Sequence, residues 1–155
     1  MDVLLTVRVE FCASPRLALP ELTLAQNSEI YGKCARPNGH GHNYWLAVTV
    51  RGRIDPRTGM AVDLDRLHAL VKNWVDAELD HLYLNLDIPY FAEVVPTAEN
   101  IAVYICDRLR DPIHDLGVEL YKIQLDETHN NACEVYASTL DTASAQTALA
   151  QEVGR

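Results

Sequence analysis

The sequence predicts an α+β domain in which a four-stranded antiparallel sheet, built in the order ββααββ, carries two helices on one face. Three observations predict it. Three stretches alternate apolar and polar residues with a period of two and a fourth, 132–138, can pair with the last of them, two stretches between repeat apolar residues at helical spacing, and the chain holds no low-complexity tract. This reads as one domain, 1–138, followed by a tail, 139–155.

The first strand lies over 3–11, where Val7, Val9 and Phe11 oppose Thr6, Arg8 and Glu10. An irregular stretch to about residue 40 follows. Alternation returns over 43–52, with Tyr44, Leu46, Val48 and Val50 against Trp45, Thr49 and Arg51. Asp55-Pro56-Arg57-Thr58-Gly59 then supplies turn chemistry. Asp63 caps a helix over 64–78, because Leu64, Leu67, Val71, Trp74 and Val75 recur at helical spacing. Residues 80–95 lack a clean period and read as a structured loop. Pro96-Thr97 opens a second helix through about 109, striped by Ile101, Ile105 and Leu109. Strands over 118–127 and 132–138 pair across the turn at His129-Asn130-Asn131. The tail, rich in Ala, Thr, Ser and Gln, is either a surface helix or disordered.

Composition narrows the function. A chain of 155 residues that is 48% hydrophobic can bury a real core. Its net charge of −9, with no Lys/Arg cluster, argues against a phosphate-backbone partner, so a small molecule or a protein is expected and nucleic acid is not. The N-terminus offers no basic head and apolar run, and no segment holds about 18 uninterrupted apolar residues, so no membrane partner is expected. Cys12, Cys34, Cys106 and Cys133 form no CxxC pair, which argues against a disulfide framework or a cysteine zinc knuckle and fits a reducing cytoplasm.

The residues suited to chemistry cluster around GKCARPNGHGHNY, 32–44. His40 and His42, two apart, point the same way on an extended backbone, and Gly39 and Gly41 allow both rings to approach one point. Zinc uses such pairs, although a pair of polar loop histidines is the commoner outcome for HxH alone. Cys34 is a nucleophile or base if a neighbour lowers its thiol pKa, and otherwise a small buried hydrophobe. Asp80 beside His81 can fix an imidazole tautomer, or simply cap a helix end. Glu127 shares strand parity with Tyr121, Ile123 and Leu125, so its carboxylate ends an apolar row and needs donors there. A planar ligand edge with two N–H groups would satisfy it; so would water at a frayed strand end. His68 and His114 read as surface residues, His114 in a connector after Pro112.

In this order the pieces resemble the family of 6-pyruvoyl-tetrahydropterin and 6-carboxy-tetrahydropterin synthases. The resemblance runs from Val7 to Tyr136 and is carried by FCASPRL (11–17), GKCARPNGHGHNY (32–44), GRIDPRTGMAVDL (52–64), LDHLYLN (79–85), DIPYFAEVVPTAENIAVYI (87–105) and DET (126–128). It implies a tunnelling fold (T-fold), a homohexamer made as a dimer of trimers with sites between subunits, and a pterin substrate. It also implies a lyase that eliminates triphosphate from 7,8-dihydroneopterin triphosphate, as in tetrahydrobiopterin biosynthesis. By the same resemblance His40 and His42 match zinc ligands, Cys34 the proton-abstracting thiol, and Asp80 with His81 the proton-transfer partners. Glu127 matches the anchor of the amino-pyrimidine edge, and Thr97 and Ala98 the segment that helps hold that ring.

One position departs from the pattern. The family's third zinc ligand is the histidine of an F-x-A-x-H segment, and here Phe11-Cys12-Ala13-Ser14-Pro15 ends in a residue that cannot ligate. Cys12 has the opposite strand parity and is expected to face away. Two of three zinc ligands are thus present. Three readings follow: an active pyruvoyl-type synthase with a weakened or rebuilt metal site, a related carboxy-type or aldolase-like pterin lyase, and a pterin-binding homologue without catalysis. Retention of Cys34, Asp80, His81 and Glu127 together argues against the last.

Overall fold

The computed structural model describes residues 1–140. Strand β1, Asp2–Ser14, pairs antiparallel with β2, His42–Arg53, from Asp2 against Arg53 to Ala13 against His42. On the far side of β2 lies β4, Glu119–Thr128, which pairs in turn with β5, Asn131–Tyr136. Helices α2, Leu64–Glu78, and α5, Ala98–His114, share one core with a single face of this sheet.

Alternation explains the packing. Val7, Val9, Phe11 and Ala13 of β1, Tyr44, Leu46, Val48 and Val50 of β2, and Ile123 and Leu125 of β4 are buried on the helix side. Against them α2 sets Leu67, Val71 and Val75, and α5 sets Ile101, Ile105, Leu109 and Ile113. Each Val, Leu, Ile or Phe among them contributes about 1.5–3 kcal/mol by leaving water. Both helix starts are capped, the first as expected: Asp63 accepts from the Asp65 and Arg66 amides, and Thr97, where the second helix was expected to open, accepts from the Asn100 amide. No helix among the described residues is long and apolar enough to cross a membrane.

Five features differ from the sequence expectation. The sheet has a fifth strand, β3, Leu82–Tyr83, parallel to β1 at Ala13 and Ser14, so it is mixed rather than purely antiparallel. Two residues are too few to show a period. The rest of the 80–95 loop carries two single turns, α3, Leu84–Asp87, and α4, Tyr90–Glu93. The stretch before residue 40 contains α1, Leu24–Tyr31, started by a capping box between Thr23 and Gln26, and a 3-10 turn, Gly32–Ala35. Buried Asn27 ties α1 down by donating to the Leu19, Leu22 and Thr23 carbonyls.

Helix α5 runs through Pro112 to His114, so His114 ends a helix instead of lying in a connector. Fully buried Ile113 rewards the extra turn, which offsets the lost Pro112 amide. Finally, β4 bulges where Val50 pairs with Leu120 instead of continuing the register. Tyr121 therefore leaves the core row, and its ring lies 4.7 Å from the Arg51 guanidinium. The tail expected over 139–155 lies outside the described residues from position 141 onward.

Candidate functional site

Three strand ends meet at one edge of the core face. Ala13 near the end of β1 pairs with His42 at the start of β2, and Glu127 lies near the end of β4 beyond Leu125. The hydrophobic row thus runs out into polar side chains that remain partly buried. His40 enters the same corner from the loop, held by its amide, which donates to the Pro15 carbonyl at 3.1 Å. Gly39 makes this entry possible. Its φ is +68°, and a Cβ there would stand 2.9 Å from the Tyr83 ring and 3.1 Å from the Pro15 carbonyl oxygen.

The His40 and His42 rings meet edge to face with centroids 4.8 Å apart. His42 Nε2 lies 3.5 Å from Glu127 Oε1. One donor atom from each of His40, His42 and Glu127 lies within 4.8 Å of the others. His40 Nδ1, His40 Nε2 and His42 Nε2 are all buried, and none has a hydrogen-bond partner among the described residues. An unpaired buried polar group costs about 1–3 kcal/mol. Three in one corner, facing a carboxylate, form a donor set that suits a divalent cation. Burial, then the neighbouring His42, hold the His40 pKa below the usual imidazole value, while Glu127 pulls the other way; the neutral ring, the ligating form, is favoured.

Cys34 approaches from the 3-10 turn, half-buried, with its carbonyl accepting the Leu17 amide at 2.9 Å. Its thiol acts electrostatically on the Tyr44 hydroxyl, as do Glu127 and Cys12, and together with burial, the largest cause, they push the Tyr44 pKa up. The Tyr44 hydroxyl is buried and has no hydrogen-bond partner among the described residues. Sequence reasoning placed Tyr44 in the core and missed this polar tip. The signal was present: Tyr44 continues the parity of His40 and His42, and its ring lies 5.6 Å from that of His42.

Asp80 and His81 form a separate unit. Asp80 Oδ1 accepts the Cys12 amide at 2.8 Å, its Oδ2 lies 2.8 Å from His81 Nδ1, and the His81 amide donates to the Cys12 carbonyl at 2.6 Å. The Cys12 amide chiefly holds the Asp80 carboxyl below the usual range, burial opposes it, and His81 adds a smaller lowering. His81 adopts φ +61°, and its side chain is 80% exposed. Among the described residues no hydrogen bond joins this pair to Cys34 or to the histidine corner.

Thr97 caps α5, and the next carbonyl, that of Ala98, accepts the Cys133 thiol at 3.3 Å. Burial pushes the Cys133 pKa up to about 11, with Glu99, Glu127 and Asp126 adding to it. The start of α5 therefore shares an electrostatic neighbourhood with Glu127.

Comparison with known proteins shows the family. The family model described as 6-pyruvoyl tetrahydropterin synthase matches residues 4–138. The 6-pyruvoyl tetrahydrobiopterin synthase of Homo sapiens is 48% identical over 124 residues, 80% of this chain and 84% of that protein. A 6-carboxy-5,6,7,8-tetrahydropterin synthase of Rickettsia typhi is 30% identical over 112 residues, 62% of this chain and 81% of that protein. Among solved structures, 6-pyruvoyl tetrahydropterin synthase of Caenorhabditis elegans superposes with a TM-score of 0.81 at 35% identity, covering 88% of this chain and 96% of that one.

Proposed function

The chain belongs to the 6-pyruvoyl tetrahydropterin synthase family and has a function like that of those synthases, and on that premise we propose that it converts 7,8-dihydroneopterin triphosphate to the diketone 6-pyruvoyl-tetrahydropterin with loss of triphosphate. The observation that carries this reading is the meeting of His40, His42 and Glu127 at the end of the core face, with the Cys34 thiol acting on the same buried Tyr44. The higher identity to the pyruvoyl-type human synthase than to the carboxy-type protein supports this branch.

His40 and His42 are the residues that would hold zinc. What the ion supplies when bound is Lewis-acid polarisation of a side-chain oxygen, which makes the neighbouring C–H more acidic. Cys34 takes a proton from that carbon, and its half-buried position limits competition from water. Asp80 orients His81 through Nδ1, leaving Nε2 to return a proton. Because His81 is exposed and is joined by no hydrogen bond to Cys34 among the described residues, its natural client is a site completed by another copy of the chain. This supports a homohexamer with sites between subunits. The carboxylate of Glu127 accepts the amino-pyrimidine N–H edge, and Thr97 with Ala98 holds the same ring from the start of α5. A cytoplasmic location fits four free cysteines among the described residues.

Incubation with 7,8-dihydroneopterin triphosphate, followed by mass analysis of products, tests the proposal. Released triphosphate with the full-length diketone side chain is expected. A shortened side chain would instead indicate carbon–carbon cleavage by a related lyase, and an unchanged substrate would indicate binding alone.

A further inference from the structure

The departure at Pro15 raises the question of what completes the ligand set. Pro15 is buried beside the HxH segment, with its carbonyl receiving the His40 amide at 3.1 Å. It stands two residues beyond Ala13, the partner of His42, and so occupies the corner while its side chain offers no donor. Cys12 does not complete the set: its thiol is not among the donor atoms that converge with His40 and His42, and its neighbours Phe11 and Ala13 are the residues of this strand buried on the core side.

From the donor geometry we infer that Glu127 is itself a zinc ligand in this chain, giving a two-histidine, one-carboxylate set with His40 and His42. This rests on the reading that the corner binds zinc. Two ligand atoms on a tetrahedral zinc stand about 3.4 Å apart. Glu127 Oε1 and His42 Nε2 are 3.5 Å apart, already at that spacing without a hydrogen bond between them. All three donor atoms lie within 4.8 Å of one another, a span that side-chain rotation closes. Three protein ligands leave a fourth position for substrate, which is the arrangement of catalytic zinc sites. A carboxylate in place of a third imidazole also lowers the charge of the loaded site by one. The weaker Lewis acid that results polarises substrate less. Glu127 has two oxygens, so engagement of Oε1 leaves Oε2 free to accept a ring N–H.

The test is zinc affinity of the full chain, stripped of metal and titrated with Zn²⁺ against a chromophoric chelator. Wild type should bind one zinc per chain. Glu127→Gln keeps the shape of the side chain and should weaken binding by at least about 100-fold, beyond the 10–100-fold seen when only an outer partner of a ligand is lost. Adding Pro15→His to Glu127→Gln should recover at least about 10-fold, and this rescue keeps the test decisive if Glu127→Gln also lowers stability. Cobalt substitution gives a readout apart from turnover, because the visible absorption of the bound ion should change on Glu127→Gln. If Glu127→Gln binds zinc within twofold of wild type while His42→Ala loses it, the carboxylate is not a ligand and the inference falls, with the two-histidine reading intact. Absence of zinc binding by wild type would overturn both. Zinc binding that depends on Glu127 but is accompanied by no triphosphate release would leave this inference standing and remove the synthase reading instead.

Discussion

The two imidazole units of this protein are built in opposite ways. His81 is exposed, yet its Nδ1 has a carboxylate partner at 2.8 Å and its amide is anchored to β1. His40 and His42 are covered, yet three of their nitrogens have no hydrogen-bond partner among the described residues. An exposed histidine already held through Nδ1 and its amide needs no further partner from its own chain. The buried nitrogens of the other pair leave hydrogen-bonding capacity unmet, which a bound cation would satisfy. The contrast separates two histidine environments that the sequence alone does not distinguish, and it fits the proposed roles in proton transfer and cation binding.

Substitutions can break or sharpen this contrast. The largest effect is expected for His42→Ala, which removes a proposed ligand at the centre of the corner: turnover should fall by at least about 1,000-fold and bound zinc should be lost, read by steady-state kinetics and metal analysis. Next comes Gly39→Ala. The added methyl meets the Tyr83 ring at 2.9 Å in a left-handed backbone, so stability should drop by about 2–3 kcal/mol in denaturant unfolding. Asp80→Asn should then lower turnover about 10–100-fold while leaving zinc affinity within twofold of wild type, because it disturbs only the exposed unit. A comparable loss of zinc on Asp80→Asn would erase the distinction between the two units.

The smallest effect is one of pH. The folded pKa of Asp80 lies below its unfolded value, so the carboxylate contributes stability that is present above about pH 4 and lost as pH falls through the folded value. Thermal unfolding should therefore show wild type above Asp80→Asn near neutrality, with the gap narrowing below about pH 4.

Much of this was legible in the sequence because it is local. The Asp63 and Thr97 caps, the stripes of α2 and α5, the parity of His40 with His42, and the core-side position of Glu127 all follow from spacing along one segment. What was missed depends on distant chain. β3 exists only because Leu82 and Tyr83 lie alongside Ala13 and Ser14. The bulge that turns Tyr121 out of the core row is a mismatch between two strands, invisible in either alone. The capping box of Thr23 and Gln26 could have been read, but α1 lacks a strong apolar stripe and its key buried residue is Asn27. The approach of Glu127 to His42 is likewise non-local, since it requires β1, β2 and β4 to end together.

The central claim is that the unpaired corner is a metal centre formed by His40, His42 and Glu127. Anomalous scattering measured on either side of the zinc absorption edge, from crystals of the zinc-loaded protein, tests it most directly. The account predicts one peak per chain within about 2.0–2.2 Å of a nitrogen of His40, a nitrogen of His42 and an oxygen of Glu127. A peak held by the two histidines with Glu127 turned away, or no peak in that corner, would contradict it.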